Sequence, residues 1–231
     1  MKKMLSLLVA AVLVMGWSSN SFAGNPYASA NIGIVWFDDI EGTHVDLDER
    51  EESLEITCDS GLTLTGALGY DMGSTRVEAE LGYQTNEVTL ISEFDDGELD
   101  KDWDGTGDIS LTTFMFNGYY DIKPMDNSDV ELFLTAGIGA AFYNFDDVGV
   151  LDDEDYIGSI NGSTWAYQVG AGIAVPVGSG IMVDARYRYF NTGEFSTNKD
   201  FDGFRMIDGD DDAYNLSINS HSALVGLRYN F

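Results

Sequence analysis

The sequence predicts an all-β protein, an eight-stranded antiparallel up-and-down transmembrane β-barrel with four long acidic extracellular loops and three short periplasmic turns. Apolar and polar residues alternate along eight segments of about 10 residues, the length of a tilted strand that crosses a bilayer. After residue 23 no apolar run is long enough for a membrane-spanning helix. The last strand also carries Arg228 beside the aromatic residues at its end, which fits a polar interior and a lipid-facing outer wall.

The first 23 residues are predicted to be a cleaved export signal, and residues 24–231 to be the barrel domain. Lys2 and Lys3 supply the positive start, residues 4–15 are mostly apolar, and Ser21-Phe22-Ala23 has the small residues of a cleavage site. The alternative is a membrane anchor. The apolar run is too short for it, because a spanning helix needs about 20 residues.

The eight predicted strands are joined by short turns and long loops in alternation. They span residues 27–37, 61–70, 75–87, 109–122, 130–143, 164–177, 181–190 and 221–231. Their even number is typical of bacterial outer-membrane barrels, as are aromatic residues near the strand ends. The aromatic residues predicted to lie at the membrane interfaces are Tyr27, Trp36, Tyr70, Phe142, Trp165, Tyr189, Tyr229 and Phe231.

Acidic residues are concentrated in the four predicted loops, which span residues 38–60, 87–108, 144–163 and 191–215. Together these loops hold 32 acidic and four basic residues, and the whole chain has a net charge of −29. Such a surface excludes nucleic acid as a partner, because phosphates would be repelled. We expect a hydrated outer face that repels anions and can hold divalent cations.

The inward positions of the strands carry a balanced set of charges. The predicted network consists of four acidic and four basic side chains: Arg76, Glu78, Glu80, Glu131, Asp184, Arg186, Arg188 and Arg228. An eight-stranded barrel has an interior that side chains just fill, and unpaired charges there would be costly. The sequence therefore predicts a structural plug of connected ion pairs. The alternative is an ion path or gate.

One loop segment partly resembles a calcium-binding loop. Asp100, Asp102, Asp104 and Asp108 follow the spacing of carboxylate ligands, with Gly105 at the turn position. The position of the bidentate glutamate is occupied by Leu111 instead. A tentative calcium site is the only cofactor interaction that the sequence suggests.

The sequence does not predict an enzyme. There are two histidines, His44 in an acidic loop and His221 at the start of the last strand. Ser220 and Ser222 flank His221, but neighbouring residues on a strand point to opposite faces and cannot form a catalytic pair. The single cysteine, Cys58, excludes an internal disulfide and is predicted to be an unreactive thiol.

Four motifs on the later strands resemble a known family. They are Phe116-Asn-Gly-Tyr-Tyr-Asp121, Tyr167-Gln-Val-Gly-Ala-Gly172, Asp184-Ala-Arg-Tyr-Arg-Tyr189 and Gly226-Leu-Arg-Tyr-Asn-Phe231. The chain is similar to the small outer-membrane β-barrels grouped with the OmpA barrel domain, opacity proteins and related bacterial surface antigens of the porin-like family. The resemblance implies that Tyr229 and Phe231 form a signal for the barrel-assembly machinery.

The combined expectation is a Gram-negative outer-membrane barrel with a structural or surface-interaction role. Its expected partners are outer-membrane lipid, the assembly machinery, and an extracellular ligand or divalent cations. A small cation-preferring channel is the alternative, and a lipid-modifying outer-membrane enzyme is the remote one. The resemblance alone does not choose among them, because in this family function resides in variable loops.

Overall fold

A computed structural model describes residues 24–45, 51–95, 98–124, 130–150, 157–196 and 215–231. The predicted export signal and most of the fourth predicted loop lie outside these residues. None of the described segments forms a helix that is long and apolar enough to cross a membrane. The described chain contains twelve strands: β1 (Asn25–Phe37), β2 (Ile40–Val45), β3 (Glu51–Cys58), β4 (Gly61–Asp71), β5 (Thr75–Asp95), β6 (Glu98–Ile122), β7 (Glu131–Val150), β8 (Ile157–Gly178), β9 (Ile181–Thr192), β10 (Phe195–Ser196), β11 (Asn215–Leu216) and β12 (Asn219–Asn230).

Eight of these strands form a closed antiparallel ring, as the sequence predicts. Their order is β1-β4-β5-β6-β7-β8-β9-β12, and β12 pairs with β1 to close the ring. In this last pairing Ile32 lies opposite Val225 and Phe37 opposite Ser220. The predicted all-β, eight-stranded barrel is therefore confirmed.

The outer wall of the ring is a continuous apolar band. Ile34, Phe116, Ile138, Val225 and Leu227 are all more than half exposed on it. Because successive residues of a strand point to opposite faces, their sequence neighbours point into the barrel. An apolar surface of this extent suits lipid rather than water.

Short turns join the strands at one end of the barrel. The turn between β4 and β5 is closed by a hydrogen bond from the Met72 amide to the Thr75 carbonyl oxygen, and Gly73 has a φ of 102°. Glycine adopts this left-handed conformation without a steric cost. The amide of Phe231 donates to the carbonyl oxygen of Pro26, so the carboxy-terminus lies at this same end.

At the opposite end the strands run much further than the sequence predicts. β5 and β6 continue as a paired hairpin to Asp95 and from Glu98, so only residues 96–97 of the predicted loop 87–108 lie between strands. The predicted loop 38–60 likewise contains β2 and β3. These parts of the prediction were wrong because acidic residues alternate there with apolar ones, and the high charge obscured the strand pattern.

The apolar residues of these extensions converge in one large cluster inside the loop end of the barrel, which we call the upper core. It contains Val35, Phe37, Ile40, Leu54, Ile56, Val88, Ile91, Ile109, Leu111, Met115, Ala141, Tyr143, Phe145, Val148, Ile160, Ala166, Phe190, Phe195, Leu216 and Ile218. All of them are buried. The strand extensions at the loop end therefore pack on a shared hydrophobic core.

Candidate functional site

The polar interior below the upper core is the candidate site, and it contains the predicted charged residues. Arg76, Glu78, Glu80, Arg186, Arg188 and Arg228 are at most 6% exposed. Glu131 and Asp184 are half-buried. We call the charged residues of this region, with their hydrogen-bonding partners, the ionic layer.

Glu80 lies at the centre of the ionic layer and is fully buried. Its carboxylate is 3.2 Å from Nη2 of Arg186 and 3.7 Å from Nη1 of Arg188. The Gln168 amide nitrogen also donates to it, at 3.2 Å. A single carboxylate therefore compensates two buried guanidinium groups. Such an arrangement is tolerated only where the geometry is good and further hydrogen bonds are made.

Arg76 has a partner that the sequence analysis did not include. Its Nε and Nη2 atoms donate to the two carboxylate oxygens of Asp121 at 2.7 and 2.8 Å, in the two-pronged geometry of a strong pair. Asp121 is diagonal to Arg76 across the β5–β6 pairing, in which Arg76 faces Tyr119. Tyr120 and Ile122 face outward, so the alternation of the strand already indicated that Asp121 points into the barrel. The predicted balance of four and four is thus corrected to five acidic and four basic residues.

Glu78 is held by neutral donors. Hydroxyl groups of Tyr27, Ser29 and Tyr119 donate to its carboxylate at 3.1, 3.3 and 2.8 Å, and the Asn117 amide donates at 3.3 Å. The expectation that Tyr27 lies at the membrane interface is wrong, since its side chain is only 1% exposed. Tyr27 is an odd-numbered residue of β1, whereas the lipid-facing residues of that strand are even-numbered.

Amide and hydroxyl side chains connect Glu78, Glu80, Arg186 and Arg188 into one network. The Gln168 amide nitrogen donates to the Glu80 carboxylate at 3.2 Å and to the side-chain oxygen of Asn117 at 2.7 Å. Arg186 donates to the Tyr119 hydroxyl at 2.8 Å, and Arg188 donates to the Ser222 hydroxyl at 3.2 Å. The Arg76–Asp121 and Arg228–Glu131 pairs lie beside this network in the barrel interior.

A small cavity remains near the short-turn end. Its volume is about 10 Å³, and its walls include Asp184, Arg186 and Arg228. Arg228 donates to Glu131 at 2.7 Å just beside it. A cavity of this size has room for about one water molecule.

The predicted calcium ligands are not brought together. Asp100, Asp102, Asp104 and Asp108 lie on β6, which is extended and paired with β5 and then β7. Alternate strand residues are about 7 Å apart, whereas calcium ligands must wrap around one ion at about 2.4 Å. Within the described ranges no group of three or more acidic, histidine or cysteine side chains is arranged to hold a metal.

Cys58 ends β3 beside the upper core. Burial raises the pKa of its thiol to about 12, and the carboxylates of Asp39 and Asp59 contribute to that rise. Because the reactive species is the thiolate, the neutral thiol at pH 8 is expected to react slowly.

We therefore expect iodoacetamide to modify Cys58 at pH 8 at least about 100-fold more slowly in the folded protein than in urea. The rate in the folded protein should continue to rise above pH 10, as the thiolate forms. Similar rates in the two states at pH 8 would contradict this assignment.

Aromatic side chains at or next to the two ends of β12 lie on the outer face of the barrel. Tyr229 and Phe231 are 46% and 67% exposed at the short-turn end, with their rings 5.2 Å apart. Their role as an assembly signal stays a prediction. At the other end Ser220 and Ser222 are fully buried, whereas His221 is on the outer face.

A closed eight-stranded ring with an apolar outer wall and a filled polar interior defines a small outer-membrane β-barrel. The chain belongs to the outer membrane protein beta-barrel domain family, whose model matches residues 4–231. This membership confirms the resemblance inferred from the strand motifs and assigns the protein to the outer membrane.

A curated relative is the outer membrane protein PagN of Salmonella typhimurium. It is 31% identical over 130 residues, which cover 53% of this chain and 51% of PagN. The alignment thus spans about half the length of that relative. The comparison shows that about half of this chain is similar to part of an outer-membrane protein.

Two solved structures share the fold at low sequence identity. The outer membrane protein OprG of Pseudomonas aeruginosa is 16% identical with a TM-score of 0.57, over 91% of this chain and 97% of OprG. The outer membrane protease OmpT of Escherichia coli is 12% identical with a TM-score of 0.58, over 93% of this chain and 100% of OmpT. At these identities the likeness concerns the fold alone.

Proposed function

We propose that this protein is a closed membrane anchor that presents an acidic, β-structured surface for interactions outside the cell. The observation that carries the proposal is the filled interior. The ionic layer occupies the membrane half of the barrel, and the upper core occupies the extracellular half. An ion would have to break both layers to pass, so the interior favours an anchor over the small cation-preferring channel.

The presented surface is strongly negative. Glu41, Glu55, Ser92 and Asp102 are register partners in one row across β2, β3, β5 and β6. Burial raises the pKa of Glu55, and the nearby carboxylates of Asp39, Glu41 and Asp102 raise it further. Such repulsion is relieved by a positive charge, so the expected partner is a cationic surface or a divalent cation that bridges to another acidic surface.

The test uses the refolded protein in nanodiscs of uncharged lipid, passed over immobilised polylysine and polyglutamate. Wild type is expected to bind polylysine only, and salt should weaken the binding because the contacts are exposed charges. The combined substitutions Glu41→Gln, Glu55→Gln and Asp102→Asn should weaken it by about tenfold or more.

Asp71→Asn, at the short-turn end of β4, serves as the control and should leave the affinity unchanged. Calcium at millimolar concentration should reduce binding to polylysine and permit binding to polyglutamate. Equal binding of wild type and the triple variant would contradict the proposal.

A further inference from the structure

A cluster of rings covers the outer wall of the barrel at the loop end of four neighbouring strands. We call it the outer aromatic patch, and it consists of Trp36, Trp165, Tyr167, Tyr187, Tyr189 and His221. The His221 ring lies 6.2 Å from that of Trp36 with an angle of 15° between them, and 5.3 Å from that of Tyr189. Tyr189 is 6.3 Å from Tyr167, which stacks on Trp165 at 5.9 Å. The rings thus form a continuous surface across β1, β12, β9 and β8.

Polar contacts fix the histidine within this patch. Nδ1 of His221 is 2.5 Å from the Tyr187 hydroxyl oxygen, and Nε2 is 3.3 Å from Oδ1 of Asp38. Next to it the Tyr189 hydroxyl donates to the side-chain oxygen of Asn219 at 3.1 Å. Asp38 and Tyr187 are about half exposed, so their oxygen atoms remain accessible to a ligand.

The patch lies at the boundary between the apolar band and the acidic surface. On the same outer faces Ile34 and Val225 are both 58% exposed, closer to the membrane centre than Trp36 and His221 by one and two outward positions. Asp38 lies on the extracellular side. Aromatic residues are common at such boundaries and anchor barrels in the interface. A fixed histidine with a carboxylate beside it goes beyond that general role.

We propose that the outer aromatic patch binds the sugar headgroup of a glycolipid in the outer leaflet. The apolar C–H face of a sugar ring packs well on an aromatic face, whose electrons carry partial negative charge. A few placed polar groups then give specificity, and the half-exposed Asp38 carboxylate and Tyr187 hydroxyl match sugar hydroxyls. The acyl chains of the same lipid would lie against Ile34 and Val225.

The local charge selects the headgroup class. Asp38 is acidic, and the nearby described residues Asp39, Glu41 and Glu55 are acidic as well. A phosphate headgroup would be repelled there, because like charges in a poorly screened interface cost energy. A neutral, hydroxyl-rich headgroup meets no such repulsion. The ligand class is therefore a glycosyl lipid rather than a phospholipid.

The experiment embeds the refolded mature chain in phosphatidylcholine nanodiscs that contain a minor fraction of either a diglucosyl diacylglycerol or phosphatidylglycerol. Native mass spectrometry after release counts the lipids retained. Wild type should retain the diglucosyl lipid well above its share of the bilayer. Trp36→Leu should reduce this enrichment by about tenfold, since truncation of a central aromatic contact commonly costs more than 1 kcal/mol.

Two further variants make the outcome decisive. Phe142→Leu removes an exposed aromatic ring from β7, outside the patch, and should leave the enrichment unchanged. Asp38→Ala changes a half-exposed loop residue, so it should fold normally and still lose most of the enrichment. The proposal would be overturned if wild type retained phosphatidylcholine, the diglucosyl lipid and phosphatidylglycerol in proportion to their shares of the bilayer. Preferential retention of phosphatidylglycerol, or an equal loss in Phe142→Leu, would overturn it as well.

Discussion

Replacing Glu80 with alanine is expected to lower the free energy of unfolding by about 3–5 kcal/mol, because it leaves buried guanidinium groups uncompensated. Glu80 is fully buried and contacts both Arg186 and Arg188. Neither arginine can reach water, since both are at most 5% exposed. Urea unfolding of the refolded protein in lipid vesicles, followed by tryptophan fluorescence, measures the change.

Glu131→Ala is the matched control, because it removes the same charge from a less buried position. The Glu131 side chain is 19% exposed, and its partner Arg228 lines the cavity that Asp184 also lines. We expect a smaller loss of about 1–2 kcal/mol, because only one guanidinium group loses its partner and the Asp184 carboxylate lines the same cavity as Arg228. If Glu80→Ala lowered the free energy of unfolding no more than Glu131→Ala does, Glu80 would not be the main stabilising contact of the ionic layer.

The second large effect is expected from Phe145→Ala in the upper core. Phe145 is fully buried, and its ring meets those of Tyr143 and Phe195 at 6.2 and 6.3 Å. Removing a buried phenyl ring forfeits its burial and leaves a cavity, with a typical cost of about 3–5 kcal/mol. Limited proteolysis from the extracellular side should show faster cleavage, and urea unfolding should show the loss of stability.

Phe116→Ala is the control for this effect. Phe116 is 59% exposed on the apolar outer wall, where lipid can fill the space of the missing ring. We expect a smaller loss of stability and unchanged proteolysis of the extracellular strands. If Phe145→Ala were cleaved no faster than wild type, the upper core would not be what holds those strands together.

The membrane strands could be predicted from the sequence because their outward side chains all contact lipid. Lipid excludes polar groups, so every outward position must be apolar and the period of two is strict. The same parity placed Arg76, Glu80 and Arg186 inside. It also held the information for Asp121 and Tyr27, whose inward positions follow from their neighbours.

The upper core and the partners of His221 could not be predicted from this two-residue alternation. In the extensions, acidic residues occupy the outer positions and alternate with apolar ones, as in Ile40 and Glu41. The high density of charge in these segments suggests hydrated loops. Asp38, which follows β1, and Tyr187, on β9, both contact His221 on β12. Their proximity depends on the register of β12 with β1 and β9, which sequence periodicity does not provide.

Single-channel recording of the refolded protein in planar bilayers tests the central claim most directly, which is that the barrel interior is closed by two layers. Wild type is predicted to be electrically silent. Arg186→Ala is predicted to stay silent as well, because the upper core still seals the extracellular half after the ionic layer is weakened. A stable conductance in wild type that Arg186→Ala changes or abolishes would contradict the account and identify the interior as an ion path.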